Sequence, residues 1–342
     1  MSAKLQHQAA HEASPLAFLS RQFIQTVPLI PKSIDLSGQA ALVTGSNVGL
    51  GFECARQLLD LHVSHLILAV RSQSKGDAAA KALQAEFPAA KIEVSLVDMS
   101  SYQSIVAFAK RCEDLPRLDM AVLNAGLSRP RFERAEETKH EMTFQVNYLS
   151  TALLGLLLLP ILKSKRGTAS PAHLSLVGSD SAYWAGWADP NCESVFEVVN
   201  SAAGFASMDA YKTSKLLLLM FAEKLSQLVS ADDVVVNVPN PGACKGTEFG
   251  SDNPSKIQRF MIRLMGAIMA RPVAVGARQY VDAVAVKGAE SHGGFVSEGK
   301  VKPYPVMMYE DAGRKLQETL WQETLRELEF VNPSDILAEL IK

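Results

Sequence analysis

Apolar runs of strand length alternate with helical patterns through most of this chain, and that alternation limits the fold more than any other feature. Ala40–Thr44 precedes Gly49–Leu61, His65–Val70 precedes Lys75–Phe87, and Lys91–Val97 precedes Ser101–Glu113. Leu118–Leu123 leads to Glu141–Lys163, His173–Val177 leads to Asp209–Val229, and Val234–Val238 follows. The runs lack period-two polarity, so both faces of each strand should be covered. The pattern predicts an α/β fold, a Rossmann-type doubly wound parallel sheet of about seven strands with helices on both faces.

Residues 38–298 form the expected dinucleotide-binding and catalytic domain. Residues 1–37 read as an N-terminal arm and 299–342 as a C-terminal extension packed on the same domain. In the extension, Asp311–Leu328 predicts a helix that packs Leu316, Leu320 and Leu325 against the core. Leu16–Ile30 is amphipathic and predicts a docked helix, with attachment to a membrane surface as the alternative. Met1–Ser14 is polar and has no secretory-signal pattern. Thr151–Leu162 is apolar for only a dozen residues, where a span needs about 20, so a buried core helix is expected and no transmembrane segment.

With 48% hydrophobic and 20% charged residues the chain can bury a sizeable core. A net charge of −2 gives no reason to expect nucleic acid or an anionic membrane as partner. Cys54, Cys112, Cys192 and Cys244 lie far apart, with no zinc-type pair or disulfide framework. No metal is expected, and a reducing, cytoplasmic setting fits best.

Between the first strand and its helix stands Thr44-Gly45-Ser46-Asn47-Val48-Gly49-Leu50-Gly51. Gly45 permits a tight turn, while Gly49 and Gly51 let the backbone approach a pyrophosphate and the helix pack near the sheet. The helix start then offers N–H groups and partial positive charge to phosphates. Gly45, Asn47, Gly49, Leu50 and Gly51 are thus the candidate phosphate-binding residues. The second strand ends Ala69-Val70-Arg71-Ser72. An acidic residue there would suit NAD, whereas Arg71, with Lys75 one turn on, suits the 2′-phosphate of NADP(H). Asp98 can accept a hydrogen bond from adenine, and Asn124-Ala125-Gly126 makes a small turn lining the cleft. Each alone reads as a strand-end turn, but their succession marks where α/β folds bind ligands.

Tyr211-Lys212-Thr213-Ser214-Lys215 places a phenol and an ammonium four residues apart, on one helical face. The ammonium favours the phenolate and draws a phenol of ordinary pKa ~10 toward neutral pH. An isolated pair of this kind is usually an ordinary surface pair. Beside a nucleotide-binding turn it suggests a proton donor working next to a nicotinamide.

With Asn147, Ser179 and Pro241-Gly242, these motifs make residues 38–298 resemble the short-chain dehydrogenase/reductase family. The resemblance implies a catalytic tetrad of Asn147, Ser179, Tyr211 and Lys215. Tyr211 would protonate the oxygen left by hydride delivery, and Ser179 would hydrogen-bond the carbonyl. Lys215 would lower the tyrosine pKa and hold the nicotinamide ribose, while Asn147 would help hold a water relaying protons to Lys215. Thr247 is the candidate for the carboxamide contact, one residue later than in the family pattern because Lys245-Gly246 lengthens the turn. Gly178 stands where many relatives carry a second serine.

The 32-residue interval from Ser179 to Tyr211 is longer than in compact members and is similar to that of the retinol dehydrogenase and WW-domain oxidoreductase branch. Its Tyr183, Trp184, Trp187 and Phe196 either roof an apolar pocket or pack over the sheet edge. Phe249–Met269 carries apolar residues at helical spacing, readable as lid or core. The arm, the aromatic insert and Leu320-Trp321-Gln322-Glu323-Thr324 resemble filamentous-fungal members used in secondary metabolism.

The expected function is therefore NADP(H)-dependent interconversion of a carbonyl and an alcohol on a hydrophobic small molecule. A non-redox cyclase with NADP as a structural part is the alternative, and a cofactor-sensing binding protein a third reading. Tyr211 and Lys215 together argue against both. Glu141–Lys163 and Asp209–Val229 are apolar beyond one face, which with the resemblance predicts a homodimer through a four-helix interface. The alternative is a monomer in which the arm or the C-terminal helix covers that surface.

Overall fold

Strands β1 (Ala40–Thr44), β2 (His65–Val70), β4 (Met120–Leu123) and β6 (Val234–Pro239) are buried at every residue, as two-sided cover requires. The computed structural model describes residues 1–168, 170–187, 192–245 and 270–341. With β3 (Lys91–Leu96), β5 (Ala172–Leu176), β7 (Phe295–Ser297) and β8 (Lys300–Lys302) these strands form one sheet in the order β3-β2-β1-β4-β5-β6-β7-β8. All pairings are parallel except β7 with β8. Strand order reverses between β1 and β4, which sets the ligand crevice at their carboxyl ends.

The sheet thus has eight strands rather than about seven. The last is a three-residue hairpin arm turned by Glu298 (φ +50°) and Gly299 (φ +69°). Two consecutive positive φ values match the twist of a tight hairpin. Lys-Val-Lys is too short and too charged to stand out as a strand in sequence.

Helices α3 (Gly49–Asp60), α4 (Gln73–Glu86) and α9 (Val273–Val281) bury Leu58, Leu83 and Tyr280 against one face. On the other face lie α5 (Tyr102–Glu113), α6 (Met142–Lys165) and α8 (Ser207–Ser226), contributing Phe108, Leu153 and Phe221. Helix α6 is long and apolar enough to cross a membrane, yet it lies almost wholly inside the fold. It is apolar all round because it has partners all round.

One of those partners settles what covers the expected dimer face. Helix α10 (Asp311–Glu327) packs along α8, and α11 (Pro333–Ile341) packs along α6. The Tyr148 and Thr324 hydroxyls are 2.7 Å apart, Gln317 Nε2 donates to the Met220 carbonyl at 2.7 Å, and Lys163 Nζ donates to the Leu340 carbonyl at 3.1 Å. The surface read as a dimer interface is therefore occupied by the chain's own C-terminal helices.

The helix expected over Leu16–Ile30 runs only over residues 15–24. A first helix, α1 (Gln6–Glu12), lies in the stretch read only as polar. After it come α2 (Pro15–Leu19), capped by Ser14, and a π-turn, Ser20–Ile24. Glu12, Arg21 and Gln22 are buried there together with Ala9, Ala17 and Val27, whereas Leu16, Phe23 and Ile24 are exposed. An ionic network holds the polar face inward, so the apolar periodicity misstated which side docks.

The insert's aromatics pack onto neighbouring elements. Tyr183 donates to the Pro303 carbonyl at 2.7 Å and meets Phe295 edge-on. Trp184 donates to the Ala13 carbonyl at 2.8 Å and meets Phe18, while Phe196, in α7 (Val195–Val199), meets His140 and Phe144. Of the two readings of these side chains, packing is the one their contacts support.

Candidate active site

Gly45 leaves β1 at φ +64°, in the left-handed region, and its N–H donates to the Ala69 carbonyl at 2.8 Å. Asn124, at the end of β4, donates to the Thr44 carbonyl at 2.9 Å, and the Thr44 hydroxyl accepts from the Ala125 N–H at 2.9 Å. These bonds stitch the glycine turn to the Asn124-Ala125-Gly126 turn at the point where the strand order reverses. At Gly51 a Cβ would stand 2.6 Å from Asn124 Nδ2, so only glycine lets α3 begin so near the turn. A Cβ at Gly49 would meet nothing within 4 Å. Asn47 and Leu50 are partly buried in the same turn.

Two features of this turn fit a bound pyrophosphate. Helix α3 starts without a side-chain cap, whereas α5 has Ser101 accepting from the Ser104 N–H at 3.1 Å. Uncapped N–H groups at a helix start suit an anion. In addition, the Ser46 hydroxyl is fully buried and has no hydrogen-bond partner among the described residues. A buried polar group left unpaired costs about 1–3 kcal/mol, and a phosphate oxygen would satisfy it. Ser46 is not singled out by the glycine pattern; its place inside the turn is the one signal of it in the sequence.

Arg71 and Lys75 are both exposed, at the end of β2 and in the first turn of α4. That placement suits a 2′-phosphate at the rim. Asp98 Oδ1 accepts from the Ser100 N–H at 2.9 Å and from its hydroxyl at 2.7 Å, which fixes the carboxylate beside the cleft. Thr247 and Phe249–Met269 lie outside the described residues.

The candidate tetrad comes together beyond β5. Asn147 sits in a π-turn of α6, Gln145–Leu149, a distortion often found at functional sites. Its Oδ1 accepts from the Leu127 N–H at 2.8 Å, and its Nδ2 donates to the Leu127 carbonyl at 2.8 Å and to the Ser214 hydroxyl at 3.0 Å. Ser214 in turn donates to the Tyr211 carbonyl at 2.7 Å, a link not foreseen from sequence. Asn147 therefore braces the Leu127 backbone against α8.

Lys215 is buried, and its Nζ donates to the Val177 carbonyl at 2.8 Å. A Cβ at Gly126 would lie 3.2 Å from Asn147 Oδ1 and 3.8 Å from Lys215 Nζ, so this glycine keeps the floor of the site open. Tyr211 shares a hydrogen bond with Ser179, whose hydroxyl also accepts from the Ser181 N–H at 3.2 Å.

The electrostatics correct one expectation. Burial pushes the Tyr211 phenol up to about 12; the Ser179 hydrogen bond pulls it down and the Asp180 carboxylate pushes it up. Lys215 does not supply the expected lowering, because its ammonium is turned to Val177 and lies 5.8 Å from the ring centroid. Burial brings Lys215 itself down to about 8. Its charge is thus poised near neutral pH.

A doubly wound sheet with an anion-ready turn at its reversal point, and a Ser–Tyr hydrogen bond backed by a buried lysine, defines a nucleotide-dependent oxidoreductase site. The short chain dehydrogenase family model matches residues 39–171. Short chain dehydrogenase virL of Hypocrea virens is 48% identical over 99% of this chain and 99% of its own length. Short chain dehydrogenase opdN of Penicillium oxalicum is 48% identical over 89% of this chain and all of its own. By that similarity the chain is an enzyme of the short-chain dehydrogenase/reductase family. Among solved structures, L-sorbose reductase from Gluconobacter frateurii, complexed with NADPH and L-sorbose, shares the fold at TM-score 0.59 and 20% identity, covering 78% of this chain and 97% of that one.

Proposed function

We propose that this enzyme interconverts a carbonyl and an alcohol on a hydrophobic small molecule using NADP(H). The observation that carries the reading is the Tyr211–Ser179 hydrogen bond with Lys215 buried beside it. When bound, the reduced nicotinamide supplies hydride to the carbonyl carbon. Ser179 then offers its hydroxyl to the substrate oxygen, and Tyr211 gives that oxygen its proton. Lys215, buried beside them, held by the Val177 carbonyl and brought by burial to about 8, is the group that would exchange the next proton with the site.

Gly45, Ser46, Asn47, Gly49, Leu50 and Gly51 would hold the pyrophosphate, Asp98 the adenine, and Asn124 and Gly126 the inner wall. Preference for NADP(H) rests on Arg71 and Lys75, two cations where NAD would want an acid. Thr247 is assigned to the carboxamide on the family pattern alone. The apolar substrate and the place in secondary-metabolite biosynthesis rest on the fungal relatives and on the apolar stretch Phe249–Met269. Four cysteines far apart in sequence, Cys54, Cys112 and Cys244 of them buried, suit a reducing cytoplasm.

The test is NADPH consumption with a panel of hydrophobic ketones and aldehydes. Stoichiometric cofactor oxidation with alcohol formation supports the assignment. Product formed without cofactor oxidation would replace it with the cyclase reading.

A further inference from the structure

We propose that the N-terminal arm is a working part of the active site, with Arg21 as a positioning residue that acts on Ser179 and Tyr211 through Asp180. The inference rests on the assignment of Ser179 and Tyr211 as the reacting pair.

Asp180 follows Ser179 directly and is buried. Its N–H donates to Asn240 Oδ1 at 3.1 Å, and the same oxygen accepts from the Gly242 N–H at 3.1 Å. The backbone of the serine corner is thereby tied to the Pro241-Gly242 turn. The carboxylate of Asp180 faces Arg21 Nη2 at 3.5 Å, and Arg21 comes from the arm. Arg21 is held from behind: Nη1 donates to Glu12 Oε2 at 2.5 Å and to the Glu12 carbonyl at 2.8 Å. Its guanidinium lies 5.4 Å from the centroid of the Tyr183 ring. Lys302 Nζ meets Glu12 at 3.0 Å, and Arg271 Nη2 meets Glu298 at 2.9 Å and donates to the Arg21 carbonyl. Beside Arg21, Gln22 Nε2 donates to the Ala243 carbonyl at 2.8 Å.

Three cations and three carboxylates from four separate segments thus meet in one buried cluster that ends on the catalytic corner. A network of this kind is expensive to desolvate and contributes little net stability, so a role in specifying geometry is the better reason for it. Asp180 is the member that Tyr211 feels: its charge opposes formation of the tyrosinate. The groups facing Asp180 are Arg21 from the arm, Glu298 from the hairpin and Arg271 ahead of α9. Tyr183 on its own turn and Cys244 on the loop after β6 feel its charge as well. Of the cations, Arg21 is the one whose removal leaves Asp180 without its ion pair.

The experiment is a titration of Tyr211 by NMR of protein carrying ring-labelled tyrosine, in the NADP-loaded enzyme, which needs no substrate. Arg21→Met should make the phenol about tenfold harder to ionise, and Asp180→Asn about tenfold easier, the size of one charge nearby in a protein's effective dielectric. The double variant should follow Asp180→Asn. Opposite shifts are a signature that loss of packing does not produce. Shifts in the same direction, or neither reaching about twofold, would overturn the proposal. If Arg21→Met does not fold, Arg21→Gln takes its place: harder ionisation of the phenol supports the proposal and an unchanged phenol refutes it. A wild-type enzyme that reduces no carbonyl would sink the proposed function while leaving this titration standing.

Discussion

Lys215 donates a 2.8 Å hydrogen bond to the carbonyl of Val177, the residue at the mouth of the fifth strand, and so keeps a buried ammonium beside the candidate pair Ser179 and Tyr211. Burial lowers this lysine to about 8 from an ordinary 10.5. A lysine depressed in the folded state binds fewer protons there than in the unfolded chain. Its charge therefore costs stability below about pH 8, and the cost is relieved as pH rises through 8 toward 10.5. The relief amounts to about 1.4 kcal/mol for each pH step of one across that window. Relative to Lys215→Met, the wild type should gain stability over the same range by a few kcal/mol at most. Chemical denaturation of both proteins from neutral to alkaline pH checks this, and a constant difference would mean that the lysine titrates normally.

Tyr211→Phe removes the hydroxyl that meets Ser179 and leaves the ring. Turnover should fall by ~10²–10⁴, the usual contribution of general acid catalysis, with NADPH affinity largely kept. Retention of more than about a tenth of the rate would show that another group delivers the proton. Steady-state kinetics and fluorescence titration of the nucleotide separate the two outcomes.

At the proposed cofactor rim, Arg71→Asp would turn the proposed guanidinium–phosphate contact into a repulsive one. NADPH should weaken and NADH improve relative to it. An unchanged ratio of kcat/KM for the two nucleotides would mark Arg71 as an ordinary surface residue.

Ser46→Ala makes a sharper test of the turn. The hydroxyl is buried and unpaired among the described residues, so its removal should leave the free protein as stable or raise stability by about 1 kcal/mol. Nucleotide affinity should drop by about the worth of a charge-assisted hydrogen bond, roughly tenfold or more. Thermal melts with and without NADP measure both effects. A variant destabilised when free and unimpaired in binding would show that Ser46 is a core residue.

The sheet, and the grouping of the candidate site residues at its carboxyl edge, were legible because they depend on local rules. Strands covered on both faces are written as continuous apolar runs, and β1 and β2 fall on the residues read from sequence. The glycine turn and the Tyr211–Lys215 spacing are local as well. What escaped depends on contacts between distant segments. The arm docks by Glu12 and Arg21, whose partners Lys302 and Asp180 lie far along the chain, so apolar periodicity pointed to the wrong face. The direction of the Lys215 ammonium depends on the Val177 carbonyl, which no helical spacing reveals. Whether the leucines of α6 and α8 face a second subunit or the chain's own end was likewise undecidable from amphipathicity.

The cover over α6 and α8 has a measurable consequence for assembly. Leu316, Leu320 and Trp321 of α10 and Leu337 and Leu340 of α11 are buried, and Trp321 lies 5.6 Å from Phe221 of α8. Each large side chain so covered contributes ~1.5–3 kcal/mol, so the cover is integral to the fold. A second copy cannot pair through α6 and α8 while α10 and α11 are in place. Sedimentation at low micromolar concentration should therefore give a species near the chain mass of 37.1 kDa. Trp321→Ala should cost ~3–5 kcal/mol in denaturant titration, as for an aromatic lost from a core. A dimer in which Trp321→Ala costs nothing would mean that the C-terminal helices swing away and the two central helices do meet their copies.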